Sequence, residues 1–360
     1  MSLAAAAVLA CAGFAPPQEP PPLPPPVALL ERPEVFRLRQ SPDGRRCAWL
    51  QPDPAGPEAM TPDRVFHLAV AAPDGSGLRV WKDLDPPIRG RFSAPVWSPE
   101  GSHLALTARR GDLGDELLVV PLQDGAAPRS LLAGGLLSEP VWHPEGSLLA
   151  VAWQKDGIQI VVADPGRGLL VQKHVSRSDG FDPAVAWEPG GGGLLVLARG
   201  QLLRLPFAGG RLGEPEPLAE LPAADSTACG PILPLGGGRV ACHAWGRAWL
   251  VEPGARPKPL GRQAGIRGLA RLGPEHLLIV EDRGDPRGRA AGLRRLGETL
   301  AGAGHATDRY LVQAVRVDLR TLAAEDLEGA GVVLDEPYPW LEERLPAGVR
   351  QALARGGGLP

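Results

Sequence analysis

The sequence predicts an all-β fold, a six-bladed β-propeller built from four-stranded antiparallel blades. Two observations lead to this fold class: a short motif returns about every 45 residues, and each copy is followed by short apolar runs of strand length. A period of roughly 40–50 residues is typical of propellers and other repeat architectures. Closing such repeats into a ring protects the exposed strand edges that a long series of hairpins leaves behind.

The repeated motif is a tryptophan followed by a turn that contains proline and glycine. Its three clearest copies place Trp97, Trp142 and Trp187 at successive intervals of 45 residues. Weaker copies precede and follow these three, which gives six units with Gln40, Ile232 and Leu272 at the tryptophan position. A large aromatic side chain at one fixed position of successive sheets is suited to filling the space between neighbouring blades. We therefore expect these positions to pack between units, with Gln40 as the outlier because it breaks the apolar register in the first unit.

Each turn is followed by an apolar or alternating run of four to six residues, and then by a second such run. Examples are Leu148 to Trp153 followed by Ile158 to Val162. Runs of this length, bounded by Gly, Pro, Asp and Arg, predict strands. The alternative interpretation is a β-sandwich whose turns share Pro-Gly signals. The repeated tryptophan favours the propeller.

On these residues the repeat resembles that of the TolB-like six-bladed propellers, which carry a Trp-Ser-Pro-Asp-Gly core followed by an apolar strand. The resemblance covers about residues 35 to 330, and Trp97-Ser98-Pro99-Glu100-Gly101 shows it most clearly. It implies the fold. It does not imply one activity, because the family includes periplasmic interaction proteins and the propeller halves of prolyl-oligopeptidase-type serine peptidases, and a fold does not determine a function.

Four segments are predicted along the chain. Residues 1–15 form a leader, 16–27 a Pro-rich linker, 28–335 the propeller, and 336–360 a C-terminal tail with two short helical turns that open at Pro339 and Pro346. The leader is too short to span a bilayer and lies where an export signal belongs. Proline-rich segments favour an extended polyproline II conformation, which suits a tether; a ligand for SH3-like domains is the alternative.

The segment Val8-Leu9-Ala10-Cys11 is similar to a bacterial lipobox, in which Cys11 would carry the lipid. An Ala-rich leader without a signal is the alternative. With export as the favoured interpretation, we expect a protein of the periplasm or one anchored to the membrane of the cell envelope.

Composition narrows the classes of partner and ligand. The net charge of -3 and the pI near 6.2 give no electrostatic footprint for nucleic acid. No Cys-x-x-Cys motif or Cys/His cluster predicts a metal site, and no phosphate-binding Gly-rich loop predicts a cofactor. A monomer is expected. Cys229 and Cys242 flank the turn at Gly236 to Gly238, so they form either a disulfide or two buried thiols.

Two classes of function remain open. The favoured one is a non-enzymatic scaffold for protein interactions in the cell envelope, since the Gly-x-Ser-x-Gly motif of the hydrolases is missing from the sequence. The alternative is a lyase or hydrolase with its site at the mouth of the central channel. Ionisable residues that enter the first strand of a unit are the candidates for that site: Arg91, Glu139, Asp182 and Asp225.

Two units have long links between their second and third strands. These links cover residues 51–64 in the first unit and 281–309 in the sixth. Closure of a ring makes the first and sixth units neighbours, so the two links are expected to meet. The larger link is rich in arginine, at Arg283, Arg287, Arg289, Arg294 and Arg295. We predict a basic surface here for an acidic protein partner; a disordered Gly-Arg-rich insertion is the alternative.

Overall fold

A computed structural model describes residues 36–54, 64–82, 84, 87–109, 114–176, 183–222, 229–244, 246–261, 266–272, 274–282, 310–334 and 357–358. Every regular element in these residues is a β-strand. Accordingly, this part of the chain contains no helix of the length and apolar character that crossing a membrane requires.

The first three units run up and down in antiparallel order, and in units 2 and 3 the first strand is divided into two pieces. Pro95 and Pro140 lie at the division and have no backbone N–H to donate to the ladder. The strands of these units are β1 (Phe36–Gln40), β2 (Cys47–Pro52), β3 (Val65–Ala71), β4 (Arg79–Trp81); β5 (Ile88–Phe92), β6 (Val96–Trp97), β7 (His103–Arg109), β8 (Asp115–Pro121), β9 (Arg129–Ala133); β10 (Leu136–Leu137), β11 (Val141–Trp142), β12 (Leu149–Gln154), β13 (Ile158–Asp164) and β14 (Gly168–Ser176).

The remaining strands repeat the pattern with longer outer strands at the end of the chain. They are β15 (Ala184–Trp187), β16 (Gly193–Ala198), β17 (Gln201–Ala208), β18 (Arg211–Leu212), β19 (Glu216–Glu220); β20 (Cys229–Gly236), β21 (Arg239–Ala244), β22 (Arg247–Val251), β23 (Lys258–Leu260); β24 (Ile266–Arg271), β25 (His276–Asp282), β26 (Tyr310–Asp318), β27 (Ala324–Leu334) and β28 (Gly357–Gly358). The run Val332 to Leu334 is the end of β27, and the predicted helical turns at Pro339 and Pro346 lie outside the described residues.

The strands form five hydrogen-bonded sheets. One sheet has nine strands and joins units 1 and 2, because β3 pairs with both β4 and β5. The three-residue strand β4 covers only one half of the edge of β3. The other half pairs with the next unit through Val65 opposite Arg89 and Phe66 opposite Ile88.

The first strands of successive units contact one another in chain order, from β1 through β6, β11, β15 and β20 to β24. The apolar cores lie between consecutive units. One core joins units 1 and 2, others join units 3 and 4, units 4 and 5, and units 5 and 6, and two smaller clusters join units 2 and 3. This radial arrangement of meanders confirms the predicted all-β propeller fold. The number of blades stays a prediction.

We name the two ends of the units by what they carry. The loop face is where first strands begin and where the links between second and third strands lie. The turn face carries the Pro-Gly turns that join first strands to second strands. Of the predicted channel-mouth residues, Arg91 and Glu139 belong to the loop face, while Trp97, Trp142 and Trp187 end their strands at the turn face.

The three repeated tryptophans bind the preceding unit. The indole N–H of Trp97 donates to the carbonyl oxygen of Arg39 at 3.0 Å, that of Trp142 to Val96 at 3.0 Å, and that of Trp187 to Val141 at 3.2 Å. Each acceptor is the residue just before the tryptophan position of its own unit. The predicted packing between units is confirmed for these residues, and the hydrogen bond adds a fixed register to it.

The turns of neighbouring units also fit into one another. The guanidinium of Arg46 donates to the carbonyl of Gly101 at 2.6 Å, and the ring Nε2 of His143 lies 3.3 Å from the carbonyl oxygen of Gly191. Gly191 has a φ of 69°, and a Cβ placed there would lie 2.2 Å from His143 Nε2. This glycine is therefore required by its backbone conformation and by the neighbouring ring.

A third kind of contact joins the outer strands of units 1 to 3 to the following unit. Arg79 binds the carbonyl of Leu122 and the carboxylate of Asp124, both at 3.0 Å. Arg129 donates to the carbonyls of Pro165 and Gly166, and Lys173 pairs with Glu214 at 2.6 Å. Polar side chains thus cross each boundary from unit 1 to unit 4.

Units 5 and 6 use their polar side chains differently. Lys258 pairs with Glu252, Arg316 with Glu325 and His276 with Asp318, and each pair lies within one unit. At the tryptophan position, Ile232 is 5% exposed and joins the core between units 4 and 5. The prediction for Leu272 was wrong: it follows the end of β24, its N–H bonds to His276 in the turn, and its side chain is 40% exposed.

The register around the cysteines differs from the predicted one. A bulge in β20 places Cys229 opposite Ala244 and Ile232 opposite Cys242, so the two cysteines are not direct cross-strand neighbours. Cys242 is fully buried in β21, and the side chain of Cys229 lies outside the described residues. A disulfide between them therefore stays a prediction. In unit 1, burial raises the pKa of the Cys47 thiol to about 12.

Candidate functional site

The loop face contains the residues predicted to line the channel mouth. Arg91 lies in β5, the first strand of unit 2, and Glu139 lies between β10 and β11, at the first strand of unit 3. The structure thus places two of the four candidates on the first strands of adjacent units. Asp182 and Asp225 lie outside the described residues, as does the side chain of Arg91.

The backbone beside Glu139 is fixed by a serine. Ser138 donates its N–H to the carbonyl of Ala152 at 2.9 Å, and its hydroxyl oxygen accepts the N–H of Ala152 at 2.9 Å. The hydroxyl also donates to the carbonyl of Glu139 at 3.1 Å. Ser93 makes the same set of bonds with Thr107 in unit 2. The hydroxyl therefore restores the ladder at the point where a proline interrupts the first strand.

A buried carboxylate holds the segment that leads to Glu139. Asp115 is 2% exposed, and its Oδ2 accepts the N–H of Leu137 at 2.9 Å. Its backbone N–H donates to Gly135, and its carbonyl accepts from Gly134. The indole N–H of Trp153 donates to the Gly134 carbonyl on the other side. Asp115 thus positions the start of unit 3 from unit 2.

Sequence reasoning missed Asp115. The available signal was an acidic pair, Asp115-Glu116, that opens a strand of otherwise apolar residues and is buried there. A carboxylate at such a place needs a hydrogen-bond donor nearby, and the backbone of the next unit supplies it.

Glu139 is half-buried. A single carboxylate on a rigid backbone can accept hydrogen bonds from a ligand or act as one proton acceptor. General acid-base chemistry with paired groups needs a second ionisable side chain within hydrogen-bond reach of the same reacting atoms. Within the described residues, no group of three or more His, Cys, Asp or Glu side chains is arranged to hold a metal ion.

The arginine-rich link follows β25 of unit 6, which ends at the loop face. Strands β26 and β27 pair beyond the end of β25, since Asp282 opposite Val312 is the last pair of β25, whereas Tyr310 still pairs with Leu334. The outer hairpin of this unit therefore rises above its second strand at the loop face. Arg287, Arg289, Arg294 and Arg295 lie outside the described residues, so the predicted interaction surface stays a prediction.

The turn face carries charged residues with structural partners. Arg204 forms a two-bond pair with Glu188, at 2.7 and 3.0 Å, and a further bond to Glu216 at 3.2 Å. The bonds to Glu188 and then Glu216 raise the pKa of Arg204. The Ser41 hydroxyl, which donates to Asp43 at 2.6 Å, lowers the pKa of that carboxyl. In unit 2, burial opposes the shift, but the hydrogen bond from Ser102 helps to lower the pKa of Glu100.

Comparison with known proteins identifies the fold. No protein-family model matches this sequence, and no curated protein matches it significantly. Solved structures do match. The periplasmic gluconolactonase of Pseudomonas aeruginosa is 12% identical with a TM-score of 0.52, and the match covers 84% of this chain and 85% of that one. A structure from a study of two prolyl endopeptidases is 14% identical with a TM-score of 0.50, over 84% of this chain and 42% of that one.

The fold is that of a β-propeller. TolB from Acinetobacter baumannii is also among the similar structures, with 15% identity and a TM-score of 0.47, over 81% of this chain and 66% of the TolB chain. This chain thus spans less than two thirds of the length of TolB and of the prolyl endopeptidase. The gluconolactonase and the prolyl endopeptidase are named for different activities, so the fold alone does not determine an activity.

Proposed function

We propose that this protein is a six-bladed propeller of the cell envelope that acts as a non-enzymatic scaffold for protein interactions. The observation that carries the proposal is the use of polar side chains in units 1 to 4. The charged residues of the repeated turns and outer strands bind neighbouring units, as Arg46, Arg79, Arg129 and Lys173 illustrate. Such a framework is rigid and presents the loop face as a stable platform.

The proposed contact surface is a basic surface formed by the two long links, residues 51–64 of unit 1 and 281–309 of unit 6. Its support is the raised outer hairpin of unit 6, where β26 and β27 extend past β25, the strand that precedes the arginine-rich link in the sequence. A cluster of arginines is suited to planar, two-bond recognition of carboxylates. An acidic protein partner follows from this chemistry, and a monomeric propeller leaves the face open to it.

The proposed location outside the cytoplasm rests on the leader with its Cys11 lipobox and on the tether at residues 16–27. A periplasmic protein is among the structures with the same fold. Replacing Cys11 with Ser should release the protein from the membrane fraction into the soluble envelope fraction. Cytosolic recovery of the uncleaved chain would contradict this location.

The interaction surface is tested by charge reversal. A variant with Arg287, Arg289, Arg294 and Arg295 all changed to Glu should lose cross-linking to its envelope partner, measured by mass spectrometry of cross-linked complexes. Each lost contact of this kind is worth about 1–3 kcal/mol when the pair is desolvated. Long-range attraction should also weaken with added salt.

The control for charge reversal changes four exposed arginines elsewhere to Glu. Arg45, Arg167, Arg211 and Arg256 are all exposed and lie away from the link, so their reversal alters the net charge by the same amount. Equal loss of cross-linking in both variants would show that only net charge matters. Unchanged cross-linking in the first variant would place the binding surface elsewhere.

An enzyme with its site at the channel mouth is the second candidate, and the similarity to a gluconolactonase favours it. Glu139 is the described residue that such a site would use. The test is hydrolysis of glucono-δ-lactone followed by base uptake at constant pH. Acceleration that is lost in a Glu139→Gln variant would establish the enzyme and overturn the scaffold proposal, whereas the scaffold proposal expects the buffer rate in both.

A further inference from the structure

The first strands of this propeller expose one backbone edge toward the centre of the ring. In units 1 to 3 the following unit uses this edge, because the carbonyls of Arg39, Val96 and Val141 each accept a tryptophan indole N–H. The edge of β24, in the last unit of the chain, has a different partner. The short C-terminal strand β28 pairs with it, with Gly357 opposite Ala270 and Gly358 opposite Leu269.

The position of β28 follows from the sheet order. The sheet runs β27, β26, β25, β24 and β28, so β28 lies on the side of β24 that faces away from the rest of its own unit. It also contacts β20, the first strand of unit 5. Since first strands pack against one another along the inside of the ring, β28 occupies the channel side of units 5 and 6.

The residues of β28 suit this place. Leu269 and Ala270 are fully buried, so the groups beside them are already closely packed. Gly357 and Gly358 bring only backbone atoms to the edge, and glycine is the residue that permits close approach of two backbones. An unpaired strand edge is also a ready template for a further strand.

We propose that the channel-side edge of β24 is a peptide-binding site for one extended strand with small residues, and that the chain's own strand β28, Gly357–Gly358, occupies it. Binding of this kind takes its affinity from backbone hydrogen bonds and its selectivity from the space available to side chains. Gly357 and Gly358 therefore act as an internal ligand that covers the channel-side edge of β24.

The proposal does not depend on an external partner or on the proposed scaffold function. Its test uses only this protein, so a failed pull-down of an acidic partner leaves the test intact. The first arm compares amide hydrogen exchange in the full chain with that in a variant that ends at Arg355. Exchange at Leu269, whose N–H faces β28, should be at least about tenfold faster in the shortened variant, since loss of a strand pair exposes edge amides to solvent. Exchange at Ala270 should stay unchanged, because N–H groups alternate along a strand and Ala270 shares the β25-facing side with Leu272, which bonds to His276.

The matched reference within the same molecule is β25, whose residues Leu277 to Val280 are held between β24 and β26. Their exchange should stay unchanged. If the shortened variant fails to fold, the full chain with Gly358→Pro replaces it, because Gly358 lies opposite Leu269 and proline cannot donate a backbone hydrogen bond. Gly192→Ala is its control, since Gly192 is exposed and a Cβ there meets nothing within 4 Å.

The second arm adds a peptide with the sequence of residues 355–360 to the shortened variant. The peptide should restore slow exchange at Leu269, and a version with valine in place of both Gly357 and Gly358 should not. Equal exchange in the full and shortened chains would overturn the occupancy of the site. Failure of the glycine peptide at millimolar concentration, or equal restoration by the valine peptide, would overturn the site itself.

Discussion

Units 1 to 4 and units 5 and 6 hold their neighbours by different means. In the first region, indole N–H groups and outer-strand cations cross each boundary in addition to apolar cores, and turn side chains bond across the boundaries between units 1 and 2 and between units 3 and 4. In the second region, the boundary between units 5 and 6 is an apolar cluster that includes Leu250, Leu269 and Val317. The N–H of Ile266 donates to the carbonyl of Gly246 across it at 2.8 Å, and the ion pairs Lys258–Glu252 and Arg316–Glu325 each lie within one unit. Hydrophobic packing supports a fold, but it specifies register less strictly than packing combined with side-chain hydrogen bonds such as those of the tryptophans.

The largest effect on the contacts between units 1 to 4 is expected from a glycine substitution at a turn. Gly191→Ala should destabilise the protein by about 2–5 kcal/mol, since alanine at positive φ costs roughly 1–2 kcal/mol and displacement of a packed neighbour about 1–3. The neighbour is His143, whose ring also packs on Trp187 with centroids 4.6 Å apart.

The control is Gly254→Ala in unit 5. Gly254 has a φ of 70°, and a Cβ there meets nothing within 4 Å. Only the conformational cost applies, so we expect a loss of about 1–2 kcal/mol. Urea denaturation with linear extrapolation measures both variants. Equal losses would show that the fit between neighbouring turns contributes nothing.

The second prediction compares two tryptophans changed to phenylalanine. Trp142→Phe removes the donor to Val96 and should cost about 1–3 kcal/mol, because the carbonyl loses its partner at a packed boundary. Trp249 in unit 5 is 4% exposed, and its indole N–H has no hydrogen-bond partner among the described residues.

Trp249→Phe therefore removes a buried donor that is not satisfied in the described structure, and the change should cost much less than Trp142→Phe. Thermal and urea unfolding of both variants test the pair. A larger loss for Trp249→Phe would contradict the assignment of the hydrogen bonds as the source of the difference between the two regions.

The third prediction uses two buried cysteines as probes of local opening. In a variant with Cys11→Ser and Cys229→Ser, the thiol of Cys242 in unit 5 should react with a thiol reagent about tenfold faster than that of Cys47 in unit 1, as expected for a difference in opening free energy of roughly 1.4 kcal/mol. Both side chains are fully buried. The raised pKa of Cys47 keeps it protonated, so the rates are compared per thiolate. Faster labelling of Cys47 than of Cys242, per thiolate, would contradict the expectation that unit 5 opens more readily than unit 1.

The smallest effect concerns pH. The lowered pKa of Asp43 means that this carboxylate stabilises the fold above its unfolded value near 3.8, and the contribution is lost as the pH falls through the lower folded value. Ser41→Ala removes the largest cause and should move the pKa of Asp43 back toward 3.8, with a slightly weaker dependence of stability on acid. Because Asp43 is exposed, solvent limits the effect.

Carboxyl titration followed by nuclear magnetic resonance measures this shift. Asp318 in unit 6 is the internal reference, because backbone N–H groups of Thr321 and Arg320 lower its pKa and Ser41 is far along the chain from both. Its titration should be unchanged in Ser41→Ala. A parallel shift of both carboxyls would point to a general structural change instead.

The sequence predicted the architecture well where side chains define it. Trp97, Trp142 and Trp187 identified three of the units in the sequence, because tryptophan recurs there at a fixed spacing. The acceptors of their indole N–H groups could not be predicted from the sequence, because every residue has a backbone carbonyl. Leu272 shows the opposite error: its residue type fits an apolar position, but the strand ends before it, and strand ends depend on turn geometry that residue type does not determine.

The candidate site was less predictable for the same reason. Glu139 could be found as an ionisable residue at the start of a first strand. Its surroundings depend on Asp115 and Ser138, whose roles arise from contacts with backbone groups of other strands. By contrast, the bulge in β20 that shifted the register between Cys229 and Cys242 had a signal in the sequence, because Gly230 and Pro231 lie at it and both residue types interrupt a strand ladder.

The nine-stranded sheet has a consequence for biosynthesis. Because half of the edge of β3 is completed by β5, unit 1 lacks its full set of strand partners until the first strand of unit 2 has left the ribosome. Chains emerge at about 5–20 residues per second, so this interval lasts a few seconds. The smallest segment that can close its own edges is therefore a pair of repeats, and the nascent protein begins folding as a dyad that later repeats extend one at a time.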